Sequence, residues 1–238
     1  MSGFVMKGAL VEFMPTFLPI PVPNVIVFQY NPETMTHTWT QPEPASSAGT
    51  ETSNPLAVRG MPGESFSFTI AMDANDEIAD GSAPTAALAK VSGIYSRLAA
   101  LEMLLYPTES PSTLVGTVSA AITASLTGDI EDPVRMVPES VMPVTLLIWG
   151  PGRIVPVRVT DLTITEKLYD SALNPTHAEA QLGLRVLTPA ELVAASADDD
   201  VLASLATITY TYTLALRQAL AVANLANAAE SIIGMIPH

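Results

Sequence analysis

Acidic side chains are the main potential source of chemistry in this sequence. Asp and Glu together number 24, against 10 Lys and Arg. Glu64, Glu102, Glu166 and Asp170 are candidates to meet in space as a carboxylate pair, the arrangement that glycosidases use to donate and accept protons. Solvated acids are the ordinary case in proteins, and no catalytic motif accompanies these four. We therefore expect the protein not to be an enzyme.

Metal-ligating residue types are present but badly spaced. The acidic run at residues 73–77 is similar to the start of a calcium loop, but Ile78 holds the glycine position and Pro84 the position of the bidentate acid. No cysteine is present, so thiolate sites are excluded. The three histidines are dispersed at His37, His177 and His238. The spacing predicts an exposed acidic turn at 73–77, and neither a metal site nor a cofactor.

Composition restricts the partners. The chain of 238 residues has a net charge of −14, and its basic residues are scattered, so a nucleic acid would be repelled. Hydrophobic residues make up 48% and charged residues only 14%, which favours a surface buried against other subunits. Polar residues interrupt the most apolar segment, so no membrane span is predicted. No signal peptide is recognisable, and cytoplasmic synthesis and assembly are expected.

The stretch from 143 to 188 predicts three consecutive strands. They run from Val144 to Trp149, from Ile154 to Leu168 and from Ala178 to Leu187, separated by the breakers Gly150-Pro151-Gly152 and Asn174-Pro175. Apolar residues alternate along the third strand, which indicates a sheet with one buried face. The alternation of the second strand changes phase, and this predicts a bulge near Thr160-Asp161.

The rest of the chain completes a mainly β (α+β) fold. Residues 5–13, 25–30 and 35–40 read as a β-meander, residues 66–72 as a further strand, and Ser82 to Leu105 as a helix that covers the sheet. Loop insertions are expected at about 41–62 and 108–140. These parts form a domain over residues 1–190.

Residues 191–238 are predicted to be a helical C-terminal extension. A capping box from Thr188 to Glu191 begins a short helix, and a longer helix follows from Asp198. The Thr-Tyr run at 207–213 is compatible with either helix or strand. An apolar stripe near the C-terminus predicts a docking helix or a core helix, and its members are Val222, Leu225, Ala229, Ile232, Ile233 and Ile236.

Three groups of residues, in this order and spacing, resemble the tube-protein family of contractile injection systems, over about residues 5–190. The first is Phe28-Gln29-Tyr30-Asn31-Pro32-Glu33, a strand followed by an Asn-Pro turn. The second is the strand Phe66 to Ile70 with the helix that contains Leu98, Leu101 and Leu105. The third is Trp149-Gly150, the long strand after it, and Asn174-Pro175 before the next strand.

The resemblance implies a tail-tube-like β-sandwich or barrel of two antiparallel sheets with a flanking helix. It also implies a six-fold ring that joins the inner tube to the hub or spike in the baseplate of a phage-tail-like particle. The partners would be copies of itself, the inner-tube protein, the spike or hub protein and other baseplate subunits. The alternative is an autonomous β-sandwich binding module for a carbohydrate or a protein. The chain departs from many hub adaptors of the family in lacking a C-terminal LysM module.

Overall fold

The computed structural model describes residues 5–14, 22–42, 56–58, 60–79, 89, 92–106, 144–195 and 200–234. Seven strands and four helices have these bounds: β1 Ala9–Met14, β2 Val22–Val27, β3 Met35–Thr40, β4 Gly63–Asp73, α1 Ala74–Ala79, α2 Tyr95–Met103, β5 Thr145–Ile148, β6 Ile154–Tyr169, β7 Pro175–Val186, α3 Pro189–Ala195 and α4 Asp200–Gly234. The mainly β fold with additional helices is confirmed. The predicted insertion at 108–140 and most of that at 41–62 lie outside the described residues.

The seven strands form one antiparallel sheet in the order β2-β1-β5-β6-β7-β4-β3. This differs from the two sheets expected, because the long strand β6 carries the hydrogen bonding from one group of strands to the other. Its first residues, Ile154 to Val157, pair with β5, and from Val157 onward it pairs with β7. The register shifts between Val159 and Asp161, which confirms the predicted bulge. A bulge bends a strand and increases its twist, so one sheet can turn where two were expected.

The prediction of an N-terminal meander is wrong. β2 pairs with β1, but β3 pairs with β4 and lies at the opposite end of the sheet. The connection from β2 to β3 begins at Phe28, which is buried in the core. Met35 and His37 of β3 stand opposite Phe68 and Phe66 of β4. Packing of these bulky side chains, rather than proximity in sequence, decides the neighbour of β3.

One face of the sheet carries the hydrophobic core. Phe66, Phe68, Ile70 and Met72 of β4 alternate inward, and every second residue of β7 from Ala178 to Val186 joins them. Leu98 and Leu101 of α2 cover this face. The helix predicted from Ser82 is interrupted, because Gly93 adopts a φ of +56° and α2 begins only at Tyr95. Residues 80–88 lie outside the described part.

Four further predictions are decided by the other elements. Most of the turn expected at 73–77 belongs instead to the short helix α1, and the Asp73 carboxylate accepts a hydrogen bond from the Asn75 N–H at 2.8 Å. The capping box is confirmed, since Glu191 accepts the Thr188 N–H at 2.9 Å. Residues 207–213 are helical and belong to α4. His177, predicted as a turn residue, lies in β7, which begins two residues before it.

Candidate functional site

The residues that carry the family resemblance are called the family-type positions here. Two of them, Asn31 and Trp149, join the N-terminal residues to the sheet. Asn31 accepts the Gly8 N–H through Oδ1 and donates to the Met6 carbonyl through Nδ2, both at 2.9 Å. The Trp149 ring lies beside Gly8, where an added Cβ would come within 2.7 Å of the ring. It also packs 6.3 Å, between ring centroids, from Phe28. Pro32 lies in the same turn as Asn31, and Gly150 follows Trp149 with a φ of +67°.

Asn174 and Pro175 organise the turn of the β6–β7 hairpin. The Asp170 carboxylate accepts hydrogen bonds from the Asn174 backbone N–H and from its side-chain amide, each at 2.9 Å. The Asn174 bonds hold the pKa of Asp170 below its usual range. The Pro175 carbonyl accepts the Ile94 N–H at 3.0 Å, next to Gly93. The hairpin is thereby fastened to the segment that begins α2.

The segment between β2 and Asn31 also contacts the start of α1. Gln29 exchanges two hydrogen bonds of 2.9 Å with the backbone of Asp73, and Tyr30 donates to the Asp76 carboxylate. The Asp73 carboxylate in turn lies 3.2 Å from Nδ1 of His177. Burial raises the pKa of Asp73, but the His177 and Asn75 hydrogen bonds outweigh it and hold that pKa below its ordinary value. The family-type positions are thus turn and packing residues, and none presents a nucleophile or a general base.

A charged cluster is buried at the opposite end of the sheet. The Glu64 side chain is only 3% exposed, and both its oxygens accept hydrogen bonds from the Arg217 guanidinium, at 2.5 and 2.8 Å. Nε2 of His37 lies 2.8 Å from Oε1 of the same carboxylate. Sheet register explains the meeting, because His37 stands opposite Phe66, and Glu64 stands opposite Trp39, on one face of adjacent strands.

Aromatic rings surround the cations of this cluster. The Arg217 guanidinium lies 4.9 Å from the Trp39 ring centroid, and the Arg153 guanidinium 5.2 Å from that of Phe66. The His37 ring stacks on Phe66 at 4.3 Å. Burial lowers the pKa of His37, and the two arginines lower it further, whereas Glu64 opposes the shift. Burial and the neighbouring Arg217 likewise lower the pKa of Arg153.

The cluster docks α4 on the sheet together with two hydrogen-bonding side chains. The Thr213 hydroxyl donates to the Ile154 carbonyl at 2.7 Å and accepts the Ile154 N–H at 3.2 Å. The Tyr212 hydroxyl donates to the Pro151 carbonyl at 3.1 Å. The sequence pattern alone did not indicate this contact, because Arg217 is only one of the polar residues that interrupt the most apolar segment. The available signal was the helical spacing of the contact residues Ala206, Tyr210, Thr213 and Arg217.

The four candidate acids are not brought together as a catalytic pair. Glu64 is bound by Arg217, and Asp170 caps the hairpin turn. Glu166 accepts a hydrogen bond from the Tyr169 hydroxyl, which raises the pKa of that phenol, and Glu102 is exposed on α2. Within the described residues, no group of three or more His, Asp or Glu is arranged to hold a metal ion.

Residues 218–225 of α4 are not covered by the sheet. Every residue from 218 to 225 is exposed, including Val222 and Leu225 of the predicted docking stripe. Ala229, Ile232 and Ile233 lie in the same helix, and Ile236 lies outside the described residues. The prediction that this segment is helical is confirmed as far as Gly234, and its docking role remains a prediction. No helix in the described ranges is long and apolar enough to cross a membrane.

Three strand edges of the sheet have no partner strand among the described residues, and they are called open edges here. β2 and β3 are the terminal strands, each paired on one side only by the strands of the described chain. Along residues 158–169 of β6, no described strand pairs on the side opposite β7. Exposed apolar side chains accompany these edges: Val25 and Val27 on β2, Trp39 on β3, and Leu168 and Tyr169 on β6.

The sequence matches no protein-family model and no curated protein.

Proposed function

We propose that this chain is a structural ring subunit of a contractile injection system, which joins the inner tube to the hub or spike at the baseplate. The observation that carries the proposal is the open edge of β6 over residues 158–169. A long open edge presents unpaired N–H and C=O groups, and natural monomers usually cover or shorten such edges. Closure into a ring of identical copies gives these N–H and C=O groups hydrogen-bond partners.

A head-to-tail ring needs two different surfaces on each copy. The molecule has them, because the β6 edge lies within the sheet and the β2 and β3 edges lie at its two ends. The apolar side chains Val25 and Val27 beside one edge and Leu168 and Tyr169 beside another become buried in such a contact. Low charge content is consistent with the same role, since ring interfaces are depleted of charged residues.

The β6–β7 hairpin, which contains Asn174 and Pro175 of the family resemblance, supports the proposal through its rigidity. Leu173 has a φ of +64° at the tip of the β6–β7 hairpin, a conformation that a leucine rarely adopts. The Asp170 and Asn174 hydrogen bonds and the contact of Pro175 with Ile94 hold the tip in place. A pre-ordered hairpin loses little conformational entropy when a neighbouring subunit binds it.

The test places lysine on the open edge. Lysine blocks edge-to-edge pairing because pairing would bury its charge. The double variant Thr163→Lys and Thr165→Lys is expected to abolish hexamers in electron micrographs and co-purification with tube and spike proteins. The matched control is Gln181→Lys, because Gln181 stands directly opposite Thr163 on the interior strand β7. Wild-type protein that remains a small oligomer in the presence of tube and spike proteins contradicts the proposal.

A further inference from the structure

Helix α4 is held on the sheet mainly by polar contacts. Among its described side chains, those of residues 204–225, only Ala206 and Thr213 are buried. Tyr210 also packs against the core, but it is only partly buried. The docked helix therefore gains little from the hydrophobic effect, and elements with few buried apolar contacts detach at a lower free energy than the rest of a fold. The attachment of α4 depends on its hydrogen bonds and on its ion pair with the sheet.

The Glu64 carboxylate binds two competing groups through the same oxygen. Oε1 accepts hydrogen bonds from Arg217 at 2.5 Å and from Nε2 of His37 at 2.8 Å. A carboxylate has only acceptors, so the neutral His37 ring carries its proton on Nε2. A further proton is taken up on Nδ1, and it makes His37 a second cation at this oxygen. The His37 side chain is 23% exposed, so water can deliver that proton while α4 is docked.

The cluster has a single anion to balance its cations. In the described part of the chain, the charged groups that act on His37 are the Glu64 carboxylate and the guanidiniums of Arg217 and Arg153. Arg217 belongs to α4, whereas Arg153 belongs to the β5–β6 turn and stays with the sheet. Protonation of His37 places three cations around one buried carboxylate. Because water screens charges poorly at such a site, the cations repel one another.

Two further titratable groups lie near the cluster and leave this balance unchanged. Burial and the Glu64 charge raise the pKa of Tyr210 on α4, so its phenol is neutral in acid. Glu191 of α3 also acts on Tyr210, but its carboxylate accepts hydrogen bonds from Thr188 and pairs with Arg185. Neither group adds negative charge to the cluster as the pH falls.

We propose that α4 is an arm held by an acid-sensitive latch, in which protonated His37 takes the Glu64 carboxylate from Arg217 and the arm leaves the folded sheet. The latch is the contact of these three side chains. His37 and Glu64 lie on the adjacent strands β3 and β4, so their ion pair remains on the sheet after release. Arg217 leaves with α4 and is solvated. The carboxylate thus keeps a cationic partner in both states, which avoids the cost of a buried unpaired charge.

The direction of the pH effect follows from the state in which His37 binds its proton more tightly. Burial and the two arginines lower the pKa of His37 in the docked state, although Glu64 opposes them. Release removes Arg217 and part of the burial, which brings that pKa back toward its ordinary value of about 6.5. Docking is therefore fully favoured above about pH 6.5, and each pH unit below it shifts the equilibrium toward release by at most about tenfold.

The latch lies beside one of the open edges of the sheet. The Arg217 guanidinium is 4.9 Å from the ring centroid of Trp39, an exposed residue of the edge strand β3. Release removes this guanidinium from the ring and changes the surface that β3 presents to a partner. The latch is contained within one chain, so it does not rest on the proposed ring.

Spin labels can measure the distance between α4 and the sheet, because the chain has no cysteine of its own. The full chain carries Ala219→Cys on α4 and Thr69→Cys on β4, both at exposed positions, and is diluted with unlabelled chain so that only distances within one copy are measured. Pulsed electron paramagnetic resonance is expected to give one narrow distance distribution at about pH 8. A longer and broader population is expected to grow from about pH 6.5 down to about pH 4.5, where the equilibrium has shifted by at most about 100-fold.

Two histidine variants assign the transition. His37→Gln keeps a polar side chain beside Glu64 but takes up no proton, so it is expected to keep the narrow distribution throughout. His177→Gln is the matched control, because His177 has a similar exposure and also faces a carboxylate, that of Asp73 at the other end of β4. It is expected to retain the wild-type transition.

Hydrogen exchange of the β7 amides separates release from unfolding, since protection of these amides is expected to persist to about pH 4.5. An unchanged wild-type distribution over this pH range overturns the inference, and so does release that occurs only together with loss of β7 protection. The wild-type transition in His37→Gln, or its absence in His177→Gln, overturns the inference as well. Failure of the ring is separate, since it is read from the lysine variants of the β6 edge.

Discussion

Glu64 is the residue on which the attachment of α4 depends most. Its buried carboxylate is compensated by Arg217 from a segment more than 150 positions away, and by His37 from the neighbouring strand. Removal of one partner of a buried ion pair leaves the other charge without compensation, which costs more than the pair itself contributes. The exposed pair of Arg185 and Glu191 has the same chemistry but water around it.

We predict that Arg217→Ala lowers the free energy of unfolding by about 3 kcal/mol, because it leaves Glu64 buried beside a neutral His37. Urea denaturation measures the change. Arg185→Ala is the matched control and is expected to cost less than about 1 kcal/mol, as exposed pairs do. Equal losses in the two variants would show that Glu64 is solvated in solution.

The stability of the fold is expected to depend on pH through His37. The folded protein holds the pKa of His37 below its ordinary value, whereas the unfolded chain takes up that proton below about pH 6.5. Stability is therefore unaffected by His37 above pH 6.5 and decreases as the pH falls below it, until the folded protein is protonated as well. The lowered pKa of Asp73 acts in a separate window, below about pH 4.

Urea denaturation over a series of pH values measures this decrease. His37→Gln keeps a polar side chain beside Glu64 but cannot titrate, so the part of the decrease that begins below about pH 6.5 is expected to be absent. The same slope in wild type and variant would assign the decrease to another group.

At the scale of elements, Gly93 decides how the β6–β7 hairpin meets α2. Its φ of +56° turns the chain into α2, and the Pro175 carbonyl lies where a side chain would begin. A Cβ at this position would come within 2.2 Å of that oxygen. Both the backbone conformation and the close approach therefore require glycine.

We predict that Gly93→Ala destabilises the fold by about 2 to 3 kcal/mol, through backbone strain and displacement of the hairpin. Gly150→Ala separates the two causes, because Gly150 has a similar φ of +67° but no atom within 4 Å of its added Cβ. The control is expected to cost about 1 to 2 kcal/mol, the cost of the backbone conformation alone. Thermal unfolding of both variants makes the comparison. A larger loss for Gly150→Ala would contradict the packing argument.

At the scale of the whole molecule, net charge opposes assembly while the open strand edges favour it. A charge of −14 on each copy produces repulsion that acts beyond the contact surface. Salt screens this repulsion over about 10 Å at 0.1 M ionic strength, but it leaves apolar and backbone contacts nearly unchanged.

We therefore predict that self-association strengthens as NaCl is raised from low to physiological concentration. Sedimentation velocity over a salt series measures the dissociation constant, which is expected to fall. Sodium sulfate at matched ionic strength is a control for specific ion effects. Weaker association in salt would mean that pairs of opposite charge, rather than neutral surfaces, hold the copies together.

The fold followed from the sequence wherever a local pattern was enough. Alternation along β4, β6 and β7, the phase change at Thr160-Asp161 and the capping box at Thr188 each depend on neighbours within a few residues. The predictions that failed concern distant neighbours. The partner of β3 depended on Phe66 and Phe68, which lie across a long insertion. The start of α2 depended on a close approach between Gly93 and Pro175.

The candidate site follows the same division. By itself, the sequence determined a mainly β chain with low charge content and an apolar C-terminal helix, and it contains no recognisable catalytic motif. These properties could be predicted because composition and periodicity belong to single segments. Only the tertiary structure decided that Glu64, His37 and Arg217 form one buried cluster. That contact fixes the rotation of α4, and so determines which face of the helix packs on the sheet and which face stays exposed.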